Sequence, residues 1–429
     1  MLAIFVGLAL CLAGSVYTEE GVNWVLLVAG SNEYYNYRHQ ADICHAYQIV
    51  HKYGIPDERI IVMMYDDIAN NSQNTMKGKI INQPGGPDVY EGVLKDYTKK
   101  LVTPDNFLKV LQGKEMAVGS KKTIQSGPND NIFVYFSDHG APGIVAFPDG
   151  SALHASDLNK AILSMHANKQ YKNMVFYIEA CESGSMFEDL LPVNINVYAT
   201  TAANSEESSY ACYYDSKLKT YLGDLYSVNW LEDSDKEDIY TETLDEQFRL
   251  VKKLTNLSHA MEYGDLSMSS VFKVSDFQAE RGQVYTPSLS MTRLQPRSDL
   301  VKSEDVRLEI LHRRLAEEND QIVRQSLLQE IQDVQRMKNL AINVIKGIAR
   351  SLVKSQNLDL NSLLNTRKKL TNHECYKPVV DHLINKCFSL KNDHVLRNLY
   401  ILVNLCESGV LAENINYTID KLCPSKFFE

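Results

Sequence analysis

Two residues in this sequence are placed to do nucleophilic chemistry together. His139 ends the run Ile132-Phe133-Val134-Tyr135-Phe136-Ser137-Asp138-His139-Gly140, and Cys181 ends Met174-Val175-Phe176-Tyr177-Ile178-Glu179-Ala180-Cys181-Glu182-Ser183-Gly184. A free thiol is mostly protonated near neutrality, and a neighbouring imidazole supplies the base that makes the attacking thiolate available. Acyl transfer also needs donors aimed at the tetrahedral oxyanion, for which the backbone N–H groups of Gly140 and Cys181 are candidates. Glycine after the histidine lets a substrate approach the backbone closely. Taken singly, a strand-end cysteine is more often a packing residue and a histidine more often structural. Their shared position at the ends of two similar runs is what joins them.

The elements that must position this pair are buried strands. Runs of β-branched and aromatic residues ending in polar residues and glycine read as strands of a parallel sheet. Open α/β sheets bind ligands beyond the carboxyl ends of their strands, so both residues fall on one edge, with room between them for a crossover helix. Residues 24–29 read as the first strand, Gly30 to Gln40 as a polar loop, and Ile43, Ala46, Tyr47 and Val50 as one face of a helix closed by Gly54 and Pro56. Ile60 to Tyr65 is a second strand, and 66–100 a long surface excursion of a kind that is often functional. Thr103-Pro104-Asp105 begins a helix running to Gly113; Ser156 caps another, bearing Leu158, Ile162 and Met165. Asn194 to Ala199 gives a fifth strand, 204–226 a polar, tyrosine-rich stretch, 242–254 an amphipathic helix, and Ser270 to Val274 a last strand. Alternating strand and helix predicts a mainly parallel α/β sandwich.

From Gln278 to about Ser303 the pattern dissolves into a linker containing Arg281-Gly282 and Pro287, and beyond it helical periodicity dominates. Leu308, Leu311, Leu315, Ile322, Leu328, Ile331, Val334 and Ile342 recur on one face. This all-α second domain offers no acid–base constellation and reads as a cover or partner. At 429 residues, two domains are expected.

The first residues, to about Ser15, are apolar and end in Ala13-Gly14-Ser15, which reads as a cleaved secretory signal removing Cys11. No later stretch is long and apolar enough to span a bilayer, so no membrane anchor is expected. Asn70, Asn256 and Asn416 head Asn-x-Ser/Thr sequons and are candidate glycan sites. Cys375, Cys387, Cys406 and Cys423 form an even set suited to two disulfides, with three connectivities open, while Cys44, Cys181 and Cys212 leave at least one free thiol. The net charge of −10 divides unevenly, the residues after 320 being basic and the remainder acidic. Opposite halves attract each other, and the attraction fades where carboxylates protonate. Without a basic run interleaved with aromatics, nucleic acid is not an expected partner. No metal or nucleotide motif is present, so neither metal nor cofactor is expected; His373, His382 and His394 read as surface histidines beside structural cysteines.

Longer motifs then carry a resemblance. Ala29-Gly30-Ser31-Asn32, Tyr35-Asn36-Tyr37-Arg38-His39-Gln40-Ala41-Asp42, Ser137-Asp138-His139-Gly140, Glu179-Ala180-Cys181-Glu182-Ser183-Gly184-Ser185, Tyr198-Ala199-Thr200-Thr201-Ala202-Ala203-Asn204, Glu207-Ser208-Ser209-Tyr210-Ala211-Cys212-Tyr213-Tyr214-Asp215 and Tyr221-Leu222-Gly223-Asp224 closely resemble the legumain family of asparaginyl endopeptidases. The similarity runs over essentially the whole chain after the signal, cysteine spacing included. It implies a caspase-like three-layer sandwich over 16–278, a linker or activation peptide over 279–319 and a helical prodomain over 320–429. It also implies His139 and Cys181 as the dyad, Asn36 orienting the histidine, and a specificity pocket of Arg38, Glu179, Ser208 and Asp224.

Such a pocket makes chemical sense, because a side-chain amide offers one acceptor and two donors and wants a cation and carboxylates together. Arg38 would donate to the amide oxygen, and Glu179 and Asp224 would accept from its NH₂. Asparagine is then preferred, with aspartate tolerated in acid. The resemblance further implies processing at Asn319, disulfides Cys375–Cys406 and Cys387–Cys423, and lysosomal, vesicular or secreted residence. The implied partners are Asn-bearing proteins and peptides, the prodomain in cis, and cystatin-type inhibitors. A thioester intermediate could also pass to an amine, giving ligation. A non-cleaving peptide-binding homologue and the transamidase that attaches lipid anchors are the alternatives. Intact His139 and Cys181 argue against the first, and the lack of an expected anchor against the second.

Overall fold

The computed structural model describes residues 21–282, 297, 299–391 and 393–427. The signal reading, with Ala13-Gly14-Ser15, lies outside them, as does Pro287. One six-stranded sheet organises the first part of the chain. Its order is Met261–Gly264, Val197–Thr201, Asn173–Glu179, Asn131–Ser137, Asn23–Ala29, Ile60–Met63, parallel throughout except for the first, which runs antiparallel to its neighbour.

The near-continuous apolar strands follow from burial on both faces. Val25, Leu27, Phe133, Tyr135, Val175 and Tyr177 point into one core, while Leu26, Val28, Val134, Phe136, Phe176 and Ile178 point into another. Because side chains alternate along a strand, every residue must then be apolar. Helix Tyr37–Lys52 covers the first face through Ile43, Ala46, Tyr47 and Val50, and helix Ala155–Ala167 covers the second through Leu158, Ile162 and Met165.

Several sequence expectations shift. The loop after the first strand is shorter than Gly30 to Gln40, since the helix begins at Tyr37 and carries Arg38, His39 and Gln40 in its first turn. Residues 66–100 have little regular structure yet are packed rather than peripheral: Ile68, Ile80, Ile81, Asn82 and Tyr97 are buried. Thr103 caps helix Pro104–Leu111 as its sequence requires, whereas Ser156 caps nothing, its helix starting one residue earlier. The fifth strand is Val197–Thr201, later than Asn194. Within 204–226 lies a hairpin, Tyr210–Asp215 with Thr220–Asp224. Ser270 to Val274 is not a strand, because Ser267–Val271 is helical; the edge strand is the more polar Met261–Gly264.

The linker is partly built. Val301–Lys302 forms a short strand and Val306–Glu317 a helix before the 36-residue helix Gln321–Gln356, which Asp320 caps by accepting from the N–H groups of Ile322 and Val323. The break at 318–320 resets the helical phase. Leu327, Ile331 and Val334 therefore turn inward with Leu311, while Ile322 and Leu328 are exposed. The remaining helices pack with the long one into a third core, closed by the disulfides Cys375–Cys406 and Cys387–Cys423. Ala141, Ile144 and Ala146, from a small sheet just after His139, belong to this same core, so the helical part is seated on the sheet edge that carries His139 and Cys181.

Candidate active site

Strand register brings the two reactive residues level. Ser137 pairs with Glu179, and the Asp138 N–H donates to the Glu179 carbonyl at 3.0 Å, so both chains leave the sheet at one height. Gly140 is required here, because a β-carbon on it would lie 2.3 Å from the carbonyl oxygen of Cys181. Glu182, directly after the cysteine, takes the left-handed conformation (φ 54°, ψ 22°) that turns the chain sharply away. His139 and Cys181 line one small cavity with Gly140, Glu182, Glu304 and Arg397.

The imidazole is fixed from behind. Asn36 donates its NH₂ to the Asn32 carbonyl at 3.0 Å, which leaves its Oδ1 to face His139 Nε2 at 2.9 Å. That arrangement assigns the proton to Nε2 and turns Nδ1, as acceptor, toward the cleft, where Ser303 Oγ lies 3.5 Å away. The His39 ring meets His139 edge-on at 4.9 Å. On the other side, the Cys181 thiol donates to Glu304 Oε2 at 3.7 Å and accepts from the Ser209 N–H at 3.4 Å. Burial first, then the charges of Arg38 and His394, push His139 well below its ordinary range. Burial first, then Glu304 and Glu182, push Cys181 well above its own. In this closed state the pair is therefore neutral thiol and neutral imidazole.

Beside the pair is a buried charged pocket. Arg38 Nε donates to Asp224 Oδ1 at 2.8 Å, and Nη2 donates to Ser303 Oγ at 2.7 Å. Glu179 Oε2 accepts from the Ser227 N–H at 3.0 Å and hydroxyl at 2.9 Å, while Glu179 Oε1 and Asp224 Oδ2 are buried without a hydrogen bond of their own, His39 Nε2 lying 3.6 Å from the latter. A pocket with one guanidinium and two unsatisfied acceptors fits a side-chain amide. Arg38, Glu179 and Asp224 are thus brought together, but the hydrogen bonds of Ser208 run to Glu304 Oε1 (2.8 Å) and from Arg397 (2.7 Å).

The cleft is filled by the protein's own linker. Val301 pairs with Ala211 and Lys302 with Tyr210 in antiparallel register, and the Ser303 N–H continues the ladder to the Ser209 carbonyl at 3.0 Å. This added strand delivers Ser303 to Arg38 and His139 and Glu304 to Cys181. From the helical part, Arg397 pairs with Glu304 (3.0 Å), Arg367 with Glu182, Lys369 with Asp189 (2.7 Å) and Lys377 with Asp157 (3.0 Å). The charge division read from the sequence is thus spatial complementarity. Ser303, Glu304, Ser209 and Arg397 escaped sequence reasoning; the only local mark was Leu300-Val301, a short apolar step inside the linker.

Asn319 is exposed in the turn between two helices. Asn70 and Asn256 are exposed, whereas Asn416 is half-buried within helix Ala412–Leu422 with its sequon Thr418 buried. Cys44, Cys181 and Cys212 are all free thiols.

Comparison with known proteins adds a family. The peptidase C13 family matches residues 23–280, and the legumain prodomain matches residues 329–423. The chain is 51% identical to legumain of Bos taurus over 411 residues, 94% of each chain. It is 42% identical to the vacuolar-processing enzyme delta-isozyme of Arabidopsis thaliana over 426 residues, 95% of this chain and 91% of that one. Caspase-1 from Spodoptera frugiperda is matched in structure with a TM-score of 0.32 and 10% identity, over 57% of this chain and 86% of that one.

Proposed function

The chain belongs to the peptidase C13 family and is an asparaginyl cysteine endopeptidase that carries its own legumain prodomain; on that premise we propose which groups carry its reaction. Once the linker strand leaves the cleft, His139 Nδ1 accepts the thiol proton of Cys181, and Sγ attacks the backbone carbonyl carbon of the substrate asparagine itself. The tetrahedral oxyanion is held by the N–H groups of Gly140 and Cys181. Collapse expels the amine, which takes the proton from His139, and leaves a thioester. Water, activated by the same imidazole, releases the acid and restores the thiol; an amine at that step gives ligation instead.

Arg38 donates to the asparagine amide oxygen, and Glu179 Oε1 and Asp224 Oδ2 accept from its NH₂. Aspartate enters once acid removes the repulsion between its carboxylate and theirs. Ser208 closes the pocket mouth after Glu304 and Arg397 depart. The catalytic part corresponds to 16–278, the activation peptide to 279–319 and the prodomain to 320–429, with cleavage after the exposed Asn319 separating the last two. Export and residence in an acidic vesicle, the lysosome or the extracellular space agree with this reading, as do glycans at Asn70 and Asn256. Inhibitors of the cystatin type would enter by presenting an asparagine loop to the same pocket.

The observation that carries the assignment is the imidazole oriented by Asn36 in one cavity with Cys181, next to a buried amide-reading pocket. Acid-processed enzyme should cleave an Ala-Ala-Asn reporter at pH 5 to 6. The Cys181→Ala form, freed of its prodomain by another protease, should bind the peptide and leave it intact. Cleavage by that variant would remove Cys181 from the mechanism.

A further inference from the structure

Behind the pocket, a chain of buried polar groups leads inward from the surface. His45 Nε2 faces the half-exposed Asp235 at 2.8 Å, and His45 Nδ1 faces Asn82 Oδ1 at 2.8 Å. Held in that orientation, Asn82 donates its NH₂ to Asp42 Oδ1 at 2.7 Å and to the Leu222 carbonyl at 2.9 Å. Asp42 is fully buried one helical turn after Arg38, and its carboxyl is hydrogen-bonded to that of Asp224. Two carboxylates cannot touch as anions in a buried site, so the pair holds a proton. Asn82 commits Asp42 Oδ1 to accepting, which leaves Oδ2, itself an acceptor of a long 3.4 Å hydrogen bond from the Ser137 hydroxyl, to carry the proton and donate to Asp224.

We propose that Asp42 is a specificity-determining positioning residue: as a neutral acid it donates to Asp224 and, together with Arg38, aims the remaining Asp224 oxygen at the substrate amide. The inference rests on the asparagine-reading pocket proposed above. The charged and titratable groups around Asp42 come from every element packed on it. They are Arg38 and His39 on its own helix, Tyr135 on the central strand, Glu179 on the next strand, and Cys212 and Asp224 on the hairpin. Arg38 is the one permanent cation among them, and it already donates to Asp224. Burial first, then Asp224, push Asp42 well above the carboxylate range, in keeping with the neutral form; for Asp224, Arg38 and Asp42 oppose burial. Burial works against a charge on His45, but Asp235 and then Asn82 raise it above its ordinary value, which favours the doubly donating ring that fixes Asn82.

The test measures kcat and KM on matched Asn and Asp reporters with acid-processed wild type, Asp42→Asn and Asp42→Leu. The Asn-to-Asp ratio cancels changes in the dyad or in the amount of folded enzyme. Asn supplies the same donor without a titrating proton, so Asp42→Asn should keep KM for the Asn reporter within about threefold and retain the preference. Asp42→Leu should raise that KM about tenfold, with kcat affected less, and erode the preference by a similar factor. If Asp42→Leu does not fold, Asn82→Ala, which frees the Asp42 carboxyl to rotate, should move KM and the ratio in the same direction. The proposal is overturned if Asp42→Asn loses the preference, which would make an anion the required form, or if folded Asp42→Leu or Asn82→Ala keeps it. A wild type that shows no preference for Asn would instead sink the pocket reading.

Discussion

The two walls of the catalytic cleft are held by different forces. One wall, at the ends of Asn131–Ser137 and Asn173–Glu179, rests on a seven-residue parallel register with apolar side chains on both faces. The opposite wall, Ser303, Glu304 and Arg397, rests on a two-residue ladder and a set of ion pairs. Apolar burial is indifferent to acid, whereas surface ion pairs are individually weak and depend on protonation. The comparison teaches why one edge can serve as a permanent template while the other closes it and can still be released.

The permanent wall should break most severely when its buried charge is removed. Arg38→Leu strips Asp224 and Ser303 of their guanidinium and a substrate amide of its donor. A loss of about a thousandfold or more in kcat/KM for an Asn reporter is expected, with a fold that still melts cooperatively. An enzyme retaining more than a tenth of wild-type activity would show that the amide is read elsewhere.

Next in size is the covalent closure of the removable part. Replacing Cys387 and Cys423 by serine opens a loop spanning 36 residues and should lower the stability of the helical part by about 3 to 4 kcal/mol in denaturant unfolding. The catalytic sheet, which has no disulfide among the described residues, should unfold as before.

Acid should act on the removable wall through groups of opposite sign. Burial raises Asp381, but the hydrogen bond and charge of His154, then Lys377, outweigh it and hold the carboxyl below its ordinary value. A carboxyl depressed on docking contributes at pH above its free value of about 4 and loses that contribution as pH falls through the docked value. Glu182 runs the other way. Burial lifts it to about 7 against Arg367, so the docked state gains a proton below neutrality and this group favours docking in acid. The tail of a Cys181→Ala chain cut after Asn319 should therefore stay bound through pH 6 and dissociate near pH 4. Asp381→Asn should weaken binding at pH 7 and flatten the fall near pH 4. Dissociation already complete at pH 6 would point to other groups.

The smallest effect expected is on the thiol itself. Burial is the larger cause of its raised value and Glu304 the second, so Glu304→Gln should speed alkylation of Cys181 in the intact chain by only a few-fold. An unchanged rate would mean that the carboxylate acts by contact alone.

How far the sequence was legible follows the same division. The strands bearing His139 and Cys181 announce themselves, because burial on both faces forces unbroken apolar runs. Met261–Gly264 does not, since an edge strand needs only half its residues apolar, and the stretch Ser270 to Val274 is too short for its periodicity to tell a strand from the end of helix Ser267–Val271. Arg38, Glu179 and Asp224 could be gathered through family resemblance, whereas Asp42 reads as one more polar residue in a helix until Asn82 and Asp224 are seen against it. Ser303 and Glu304 have no mark beyond the short apolar step Leu300-Val301 before them, because a strand that borrows its ladder from Tyr210–Asp215 needs little pattern of its own.

The central claim is that an assembled dyad and pocket are held shut by the chain's own linker strand. A peptide probe bearing Ala-Ala-Asn and a thiol-reactive group measures this directly, applied to the intact chain at pH 7.5 and to acid-processed enzyme, with the labelled residue identified by mass spectrometry. The account predicts negligible labelling before processing and stoichiometric labelling of Cys181 after it. Equal labelling of the intact chain, or labelling of Cys44 or Cys212 in place of Cys181, would contradict it.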